Sequence, residues 1–386
     1  MKPLNPTFAG TGTTIFSVMS ALANQHGAVN LGQGFPDTDG PLALRERAAQ
    51  ALIEGPNQYP PMMGVESLRQ ALARHAERFY DLNYDWRSEI VVTSGGTEAL
   101  TASIMGLVKP GDEVVLIEPA YDSYRPVVEA VGGIAKPIRL SAPGWELTEQ
   151  ALAAVFSEKT KAIMLNSPMN PAGKVFTEAE LVLVAKFLIK FDALAICDEV
   201  YEHLTFDGLK HKPLATFPGM RDRCVRVGSA GKMFSLTGWK VGWVEGPAAL
   251  IGAVAKAHQF ITFTTPNALQ IAVAHGIETA EDFFLNLAKE LEGNRNYLAR
   301  ELKDIGFNPL PAQGTYFLTT DISGLRFNGS DVEFCKHMTE QARVAAIPLS
   351  VFFTGEAPQT LVRFAFCKQR HVLEEAVKRL RTHFAK

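Results

Sequence analysis

The feature that most constrains this sequence is an alternation. Between about residues 90 and 245, short apolar runs take turns with stretches of helical periodicity. Ile90-Val91-Val92-Thr93 reads as a strand, and Ser94-Gly95-Gly96-Thr97-Glu98 opens a helix that runs through Val108. Glu113 to Ile117, Ala162 to Leu165, Leu194 to Cys197, Cys224 to Gly228 and Val241 to Val244 read as further strands. A helix from Thr177 to about Lys190 falls among them. Strands joined through helices predict an α/β fold with a large, doubly wound, mostly parallel sheet. Sheets of that kind gather ligands beyond the carboxyl ends of their strands.

After about residue 280 the pattern changes. Glu281 to Leu302 reads as a long polar helix, Gly314 to Thr319 and Leu361 to Phe366 as strands, and His371 to Phe384 as a final helix. This predicts a second, smaller α+β domain with which the N-terminal arm packs. The expected division is a large domain over 45–275 and a small discontinuous one made of 1–44 and 276–386. A length of 386 residues, against roughly 150 for a common domain, leaves room for both.

Composition removes several classes. A net charge of −3 offers no basic surplus for nucleic acid. No run approaches the ~18 apolar residues of a membrane span. The nearest imitation of a leader, Ile15 to Ala23, is interrupted by Ser17 and Ser20. Ile15, Val18, Met19 and Leu22 recur at helical spacing, which predicts a short amphipathic helix capped by Thr13 or Thr14. The four cysteines, Cys197, Cys224, Cys335 and Cys367, form no CxxC pair. They fit neither a disulfide scaffold nor a zinc finger, and suit a reducing, cytoplasmic setting.

Residues with chemical potential follow the strands. Thr97 follows Val91-Val92-Thr93, and Asn170 follows Ile163-Met164-Leu165. Asp198 ends Leu194 to Cys197, and Lys232 follows Val225 to Gly228. A parallel sheet would bring an amide, a carboxylate, a lysine and a Gly-rich helix start to one edge. Singly, each has an ordinary role: a cap, a solvated lysine, a turn. Gly228-Ser229-Ala230-Gly231-Lys232 imitates a P-loop, but Arg226 stands where that motif needs Gly and Met233 where it needs Ser or Thr. The dinucleotide GxGxxG also fails, since Gly32 and Gly34 are followed by Asp37.

Taken in order, longer motifs carry a resemblance. They are Asn30-Leu31-Gly32-Gln33-Gly34-Phe35-Pro36-Asp37, Asn57-Gln58-Tyr59, Asn166-Ser167-Pro168-Met169-Asn170-Pro171, Asp198-Glu199-Val200-Tyr201, Ser229-Ala230-Gly231-Lys232 and Thr237-Gly238-Trp239-Lys240-Val241-Gly242. The sequence resembles, nearly end to end, the fold-type I, pyridoxal-phosphate-dependent class I and II aminotransferases. It is most similar to their methionine, glutamine and kynurenine branch.

The resemblance implies a role for each matching position. Lys232 would form the Schiff base with pyridoxal 5′-phosphate, a task that needs a primary amine and that an always-protonated arginine cannot perform. Asp198 would pair with the pyridinium nitrogen, Asn170 and Tyr201 would hydrogen-bond the ring oxygen, and Tyr121 would lie against the ring face. Gly96, Thr97, Ser229 and Lys240 would hold the phosphate; many relatives have Arg at the last position, so the charge is kept and the bidentate fork lost. Tyr59 would reach the phosphate of the partner subunit, which implies a homodimer. Arg363 would clamp the substrate α-carboxylate, helped by the Gly34 amide.

Dicarboxylate-specific relatives carry a second arginine for the side-chain carboxylate. Residues 251–275 contain Lys256 but no Arg. Phe16, Tyr121, Phe263 and Phe352 suggest an apolar or aromatic pocket instead. The expected activity moves an amino group from a neutral or aromatic L-amino acid (methionine, glutamine, phenylalanine, tyrosine or kynurenine type) to a 2-oxo acid. Cysteine-conjugate β-lyase chemistry, which needs the same cofactor and site, stays open beside it.

Overall fold

The computed structural model describes residues 2, 4–9 and 12–384. The chain enters through the Ile15–His26 helix, whose first turn is capped by the Thr14 side chain accepting from the Ser17 amide. Of the expected apolar face Met19 is buried, with Ala23 one turn on, while Ile15, Val18 and Leu22 are half-buried. The short strand β1 (Val29–Asn30) follows.

The middle of the chain supplies β2 (Ile90–Thr93), β3 (Glu113–Glu118), β4 (Ile134–Arg139), β5 (Thr160–Asn166), β6 (Leu194–Asp198), β7 (Cys224–Ser229) and β8 (Gly242–Glu245). They form one sheet in the order β2-β8-β7-β6-β5-β3-β4. Strands β3 to β7 pair in parallel, while β8 runs antiparallel to both β2 and β7. All strands except β8 therefore end on the same edge. Strands β2 and β8 are buried throughout, and β3, β5, β6 and β7 nearly so. Helices on both faces account for their continuous apolar runs. Each fully buried Val, Ile or Leu here contributes about 1.5–3 kcal/mol.

Three details depart from the expected elements. Strand β4 was not foreseen, because Pro137 and the lysine beside it obscure its pattern; it occupies the sheet edge, where a missing N–H is tolerated. The strand expected at Gly314 to Thr319 starts late. Thr315 has a φ of 68°, so Gly314 makes only an isolated bridge to Thr205, and the extended segment is Phe317–Asp321. The strand expected at Val241 begins at Gly242, after Lys240 turns the chain with a φ of 55°.

The last hundred residues add β9 (Asn308–Pro309), β10 (Phe317–Asp321), β11 (Val344–Ala345), β12 (Ile347–Pro348) and β13 (Leu361–Ala365). A four-stranded antiparallel sheet runs β12-β13-β10-β9, with Thr319 opposite Arg363. The N-terminal β1 pairs in parallel with β11, Val29 opposite Val344.

One buried feature lies beside the large sheet. The Arg226 guanidinium on β7 donates to Glu199 at 2.7 Å, Glu245 at 2.8 Å and Glu202 at 3.1 Å, all buried. Nothing in the sequence signalled this cluster. Among the described residues, no helix is long and apolar enough to cross a membrane.

Candidate active site

The carboxyl edge of the large sheet opens into a cavity of about 420 Å³. Strand register assembles it. Asn166 at the end of β5 lies opposite Asp198 at the end of β6, and β6 in turn pairs with β7, which ends at Ser229. The Gly95–Leu107 helix starts at the same edge, pressed against β8: a Cβ on Gly242 would lie 2.5 Å from the Gly95 carbonyl carbon. Side chains from the second sheet close the other side. Twelve residues singled out from the sequence line this one cavity: Phe16, Gly34, Gly96, Thr97, Tyr121, Asn170, Asp198, Tyr201, Ser229, Lys232, Lys240 and Arg363.

Asp198 is buried, and burial pushes its carboxyl up to about 6, against the opposing pull of a hydrogen bond from the Tyr124 hydroxyl and of the Lys232 charge. The Tyr124 bond measures 2.5 Å. Lys232 is half-buried in the cavity wall, and burial pulls its amine down to about 8 while Cys367 and Asp198 oppose the shift. Its Nζ donates to the Tyr316 hydroxyl at 2.6 Å. A lysine near 8 holds a useful fraction of neutral, proton-accepting amine at neutral pH.

Arg363 is 1% exposed, and among the described residues no carboxylate pairs with it within 4.0 Å. Nη1 donates to Asn170 Oδ1 at 2.9 Å and Nη2 to the Gly32 carbonyl at 2.8 Å. Nε is buried without an acceptor. The Phe317 ring stacks on the guanidinium, 3.9 Å from its centroid, with Phe16 and Phe352 at 5.4 and 5.3 Å. Burial lowers the group to about 10. An unpaired cation buried in a cavity is costly, and a carboxylate with two coplanar oxygens offsets that cost.

The helix start supplies the opposite end. Ser94 makes no side-chain cap, so the first-turn amides lack that partner, and Lys240 Nζ would lie 3.2 Å from a Cβ on Gly95. Free N–H groups, the helix dipole and an ammonium suit a phosphate. Asn170 spends its side-chain oxygen on Arg363, leaving its Nδ2 group to donate elsewhere. The set fits pyridoxal phosphate: phosphate donors at one end, an acid beneath, an amine beside it and an orphaned guanidinium N–H beyond.

Three residues singled out from the sequence lie outside this chain's cavity lining. Tyr59 is 81% exposed, outside its own chain's cavity, and packs edge-on against Phe263 with ring centroids 5.4 Å apart. Phe263, expected on the pocket wall, is therefore not part of it in this chain; Phe352 lies behind Phe16, 5.9 Å away. Sequence reading also missed Tyr124 and Tyr316. Tyr124 sits three residues beyond Tyr121 at the start of a helix, and Tyr316 immediately precedes β10. Tyr124 follows β3 but reads as an ordinary first-turn aromatic, and Tyr316 adjoins the small sheet, so neither shows its role by position alone.

Comparison with known proteins points the same way. A family model described as aminotransferase class I and II matches residues 26–380. The chain is 44% identical over 379 residues to the probable N-succinyldiaminopimelate aminotransferase of Mycobacterium tuberculosis, covering 95% of each. It is 39% identical over 396 residues to human kynurenine–oxoglutarate transaminase 3, covering 95% of this chain and 87% of that one. The solved Escherichia coli protein identified with a methionine aminotransferase function superposes with a TM-score of 0.96 at 41% identity, over 99% of this chain and 100% of the other.

Proposed function

This chain belongs to the class I and II aminotransferases, enzymes that work with pyridoxal 5′-phosphate, and from that premise we propose that its donor is a neutral or aromatic L-amino acid and its acceptor a 2-oxo acid. The observation that carries the donor class is the charge inventory of the cavity. Its lining cations are Lys232, Lys240 and Arg363. Each has a task in binding cofactor or the α-carboxylate, and no second arginine is left for an anionic side chain. Burying an unpaired carboxylate there would be unfavourable. Phe16, Tyr121 and Phe317 offer apolar wall instead.

When bound, pyridoxal phosphate supplies a reactive aldehyde and a ring able to take up electrons. The residues act around it. The Gly96 and Thr97 amides, the Ser229 hydroxyl and Lys240 would hold the phosphate. Asp198, oriented by Tyr124, would pair with the ring nitrogen and favour its protonated form. Tyr121 would pack against the ring, while Asn170 Nδ2 and the Tyr201 hydroxyl would donate to its oxygen. Arg363 and the Gly34 amide hold the donor carboxylate, which fixes the donor's α-carbon relative to Lys232. Lys232 Nζ, brought down to about 8 by burial and facing the same cavity, would serve as the base and acid that moves the donor's α-proton.

The working unit in this reading is a homodimer, in which Tyr59 reaches the partner subunit's phosphate site. Its support is exposure: Tyr59, Ile53 and Phe260 stand 81%, 86% and 85% open in the single chain. Four free, buried cysteines suit a cytoplasmic setting. Relatives named for methionine and kynurenine fit the neutral-donor reading; N-succinyldiaminopimelate carries further carboxylates and does not. Steady-state rates across methionine, glutamine, phenylalanine, kynurenine, aspartate and N-succinyldiaminopimelate test it. A preference for either of the last two overturns it. Pyruvate and ammonia released from a cysteine conjugate, with no 2-oxo acid added and faster than any amino transfer, would make β-elimination the main reaction.

A further inference from the structure

Lys232 has a partner that the reaction outlined above does not name. Its Nζ lies 2.6 Å from the Tyr316 hydroxyl, and that hydroxyl lies 2.6 Å from the Gly34 carbonyl oxygen. A phenol carries one proton. The Gly34 carbonyl can only accept, so a contact of 2.6 Å there requires the Tyr316 proton to point at it. The hydroxyl oxygen is then an acceptor toward Lys232, and the amine must donate. Tyr316 is only 2% exposed, and its ring is held edge-on by Tyr201 at 5.2 Å and Phe317 at 4.8 Å. The hydroxyl cannot swing away without unpacking the ring. Gly34 is fixed as well, since a Cβ there would stand 2.4 Å from Phe317.

We propose that Tyr316 is a positioning residue for Lys232: its hydroxyl, locked as an acceptor by the Gly34 carbonyl, receives the free amine and holds it at one point on the cavity wall. Two consequences follow from the direction of the hydrogen bond. The bond favours the protonated amine, because an ammonium is the stronger donor. It also fixes where the amine rests when it is not bonded to anything else, which shortens its search for the donor's α-carbon. Other groups facing Lys232 are Cys367 and Asp198, which favour the ammonium, Arg363 and Lys240, which oppose it, and the Tyr201 ring, 5.6 Å from Nζ, whose hydroxyl is hydrogen-bonded with that of Tyr316. Tyr316 adds to the first pair without carrying charge.

The inference rests on Lys232 being the reactive amine, and the test separates the two. In cofactor-free protein, the rate at which an acylating reagent labels Lys232 is measured against pH by mass spectrometry of its peptide. This midpoint does not depend on turnover. Removing one acceptor from a half-buried ammonium in Tyr316→Phe shifts the midpoint down by about one pH unit, a tenfold change in the proton's binding constant. In the loaded enzyme kcat falls about tenfold while the donor KM stays within about twofold. A midpoint that stays put or rises overturns the proposal, even if kcat falls, because a merely structural role would leave the midpoint alone. Should the phenylalanine variant fail to fold, 3-fluorotyrosine placed at position 316 keeps ring and hydroxyl but weakens the acceptor; a smaller downward shift is expected, and none would overturn the proposal. Reductive trapping of pyridoxal phosphate on Lys232 in the same variant checks the underlying reading separately.

Discussion

Consider replacing Arg363 with lysine. The guanidinium spends one donor on Asn170 at 2.9 Å and one on Gly32 at 2.8 Å, and keeps a buried Nε with no protein acceptor. A lysine preserves the charge but not the planar fork, so at least one charge-assisted hydrogen bond to the donor carboxylate disappears. Such a bond contributes about 1.5–3 kcal/mol. At about 1.4 kcal/mol per factor of ten, kcat/KM for methionine should fall about 10- to 150-fold, mostly through KM. The assay that isolates the cause is competitive inhibition of the loaded enzyme. The inhibition constant of 4-(methylsulfanyl)butanoate should rise by a similar factor in Arg363→Lys, while that of the matching alcohol stays within about twofold. Equal losses for both inhibitors would refute the clamp and assign the defect to general disorder of the wall that Phe317 and Phe16 share.

Other expectations follow from the same geometry. The Asp198 carboxyl is raised by burial to about 6 in the cofactor-free fold, above its ordinary value of 3.8. Its contribution to stability is therefore fully present below about pH 3.8 and lost as pH rises through 6, at most about 3 kcal/mol. Cofactor-free Asp198→Asn should melt higher than the parent at pH 8 and alike near pH 4, yet lose at least about a hundredfold in kcat when loaded; a lower melting point at pH 8 contradicts the burial argument. A methyl group at Gly34 would meet Phe317 at 2.4 Å, so Gly34→Ala should cost about 1–3 kcal/mol in urea unfolding and raise the donor KM; an unchanged KM argues against a role beside the carboxylate. Mixing inactive Lys232→Ala with inactive Tyr59→Ala under subunit exchange should restore activity, because one site of the mixed dimer is then intact. Persistent inactivity, with heterodimers verified by mass, removes Tyr59 from the partner's site.

Much of this molecule is legible in its sequence. Six of the seven strands of the large sheet stand out because helices cover both faces, which turns the strands into unbroken apolar runs. The polar residues at their ends converge because β2 and β5 to β7 all end on one edge, so that reading strand ends finds Asp198, Asn170, Lys232 and Thr97 together. What escaped detection lies where pattern and chemistry part company. Strand β4 carries a proline. Thr315 adopts a left-handed φ that no propensity announces. Tyr124 and Tyr316 resemble core tyrosines in sequence and become site residues only through tertiary placement, one beneath Asp198 and the other beside Lys232. The buried Arg226 cluster joins carboxylates from two segments, the turn after β6 and the end of β8, a long-range association that local sequence cannot display. Phe263 lies outside its own chain's cavity and packs against Tyr59, a pairing of distant segments that local sequence does not announce.

The chemistry turns on the amine at position 232. Purified protein saturated with pyridoxal phosphate, reduced with borohydride and digested, should yield the peptide containing Lys232 with the added mass of a phosphopyridoxyl group, at close to one label per chain. The Lys232→Ala protein should take up no label at that position and show no amino transfer. Label distributed over surface lysines with the Lys232 peptide unmodified would contradict the central claim, whatever activity the preparation retained.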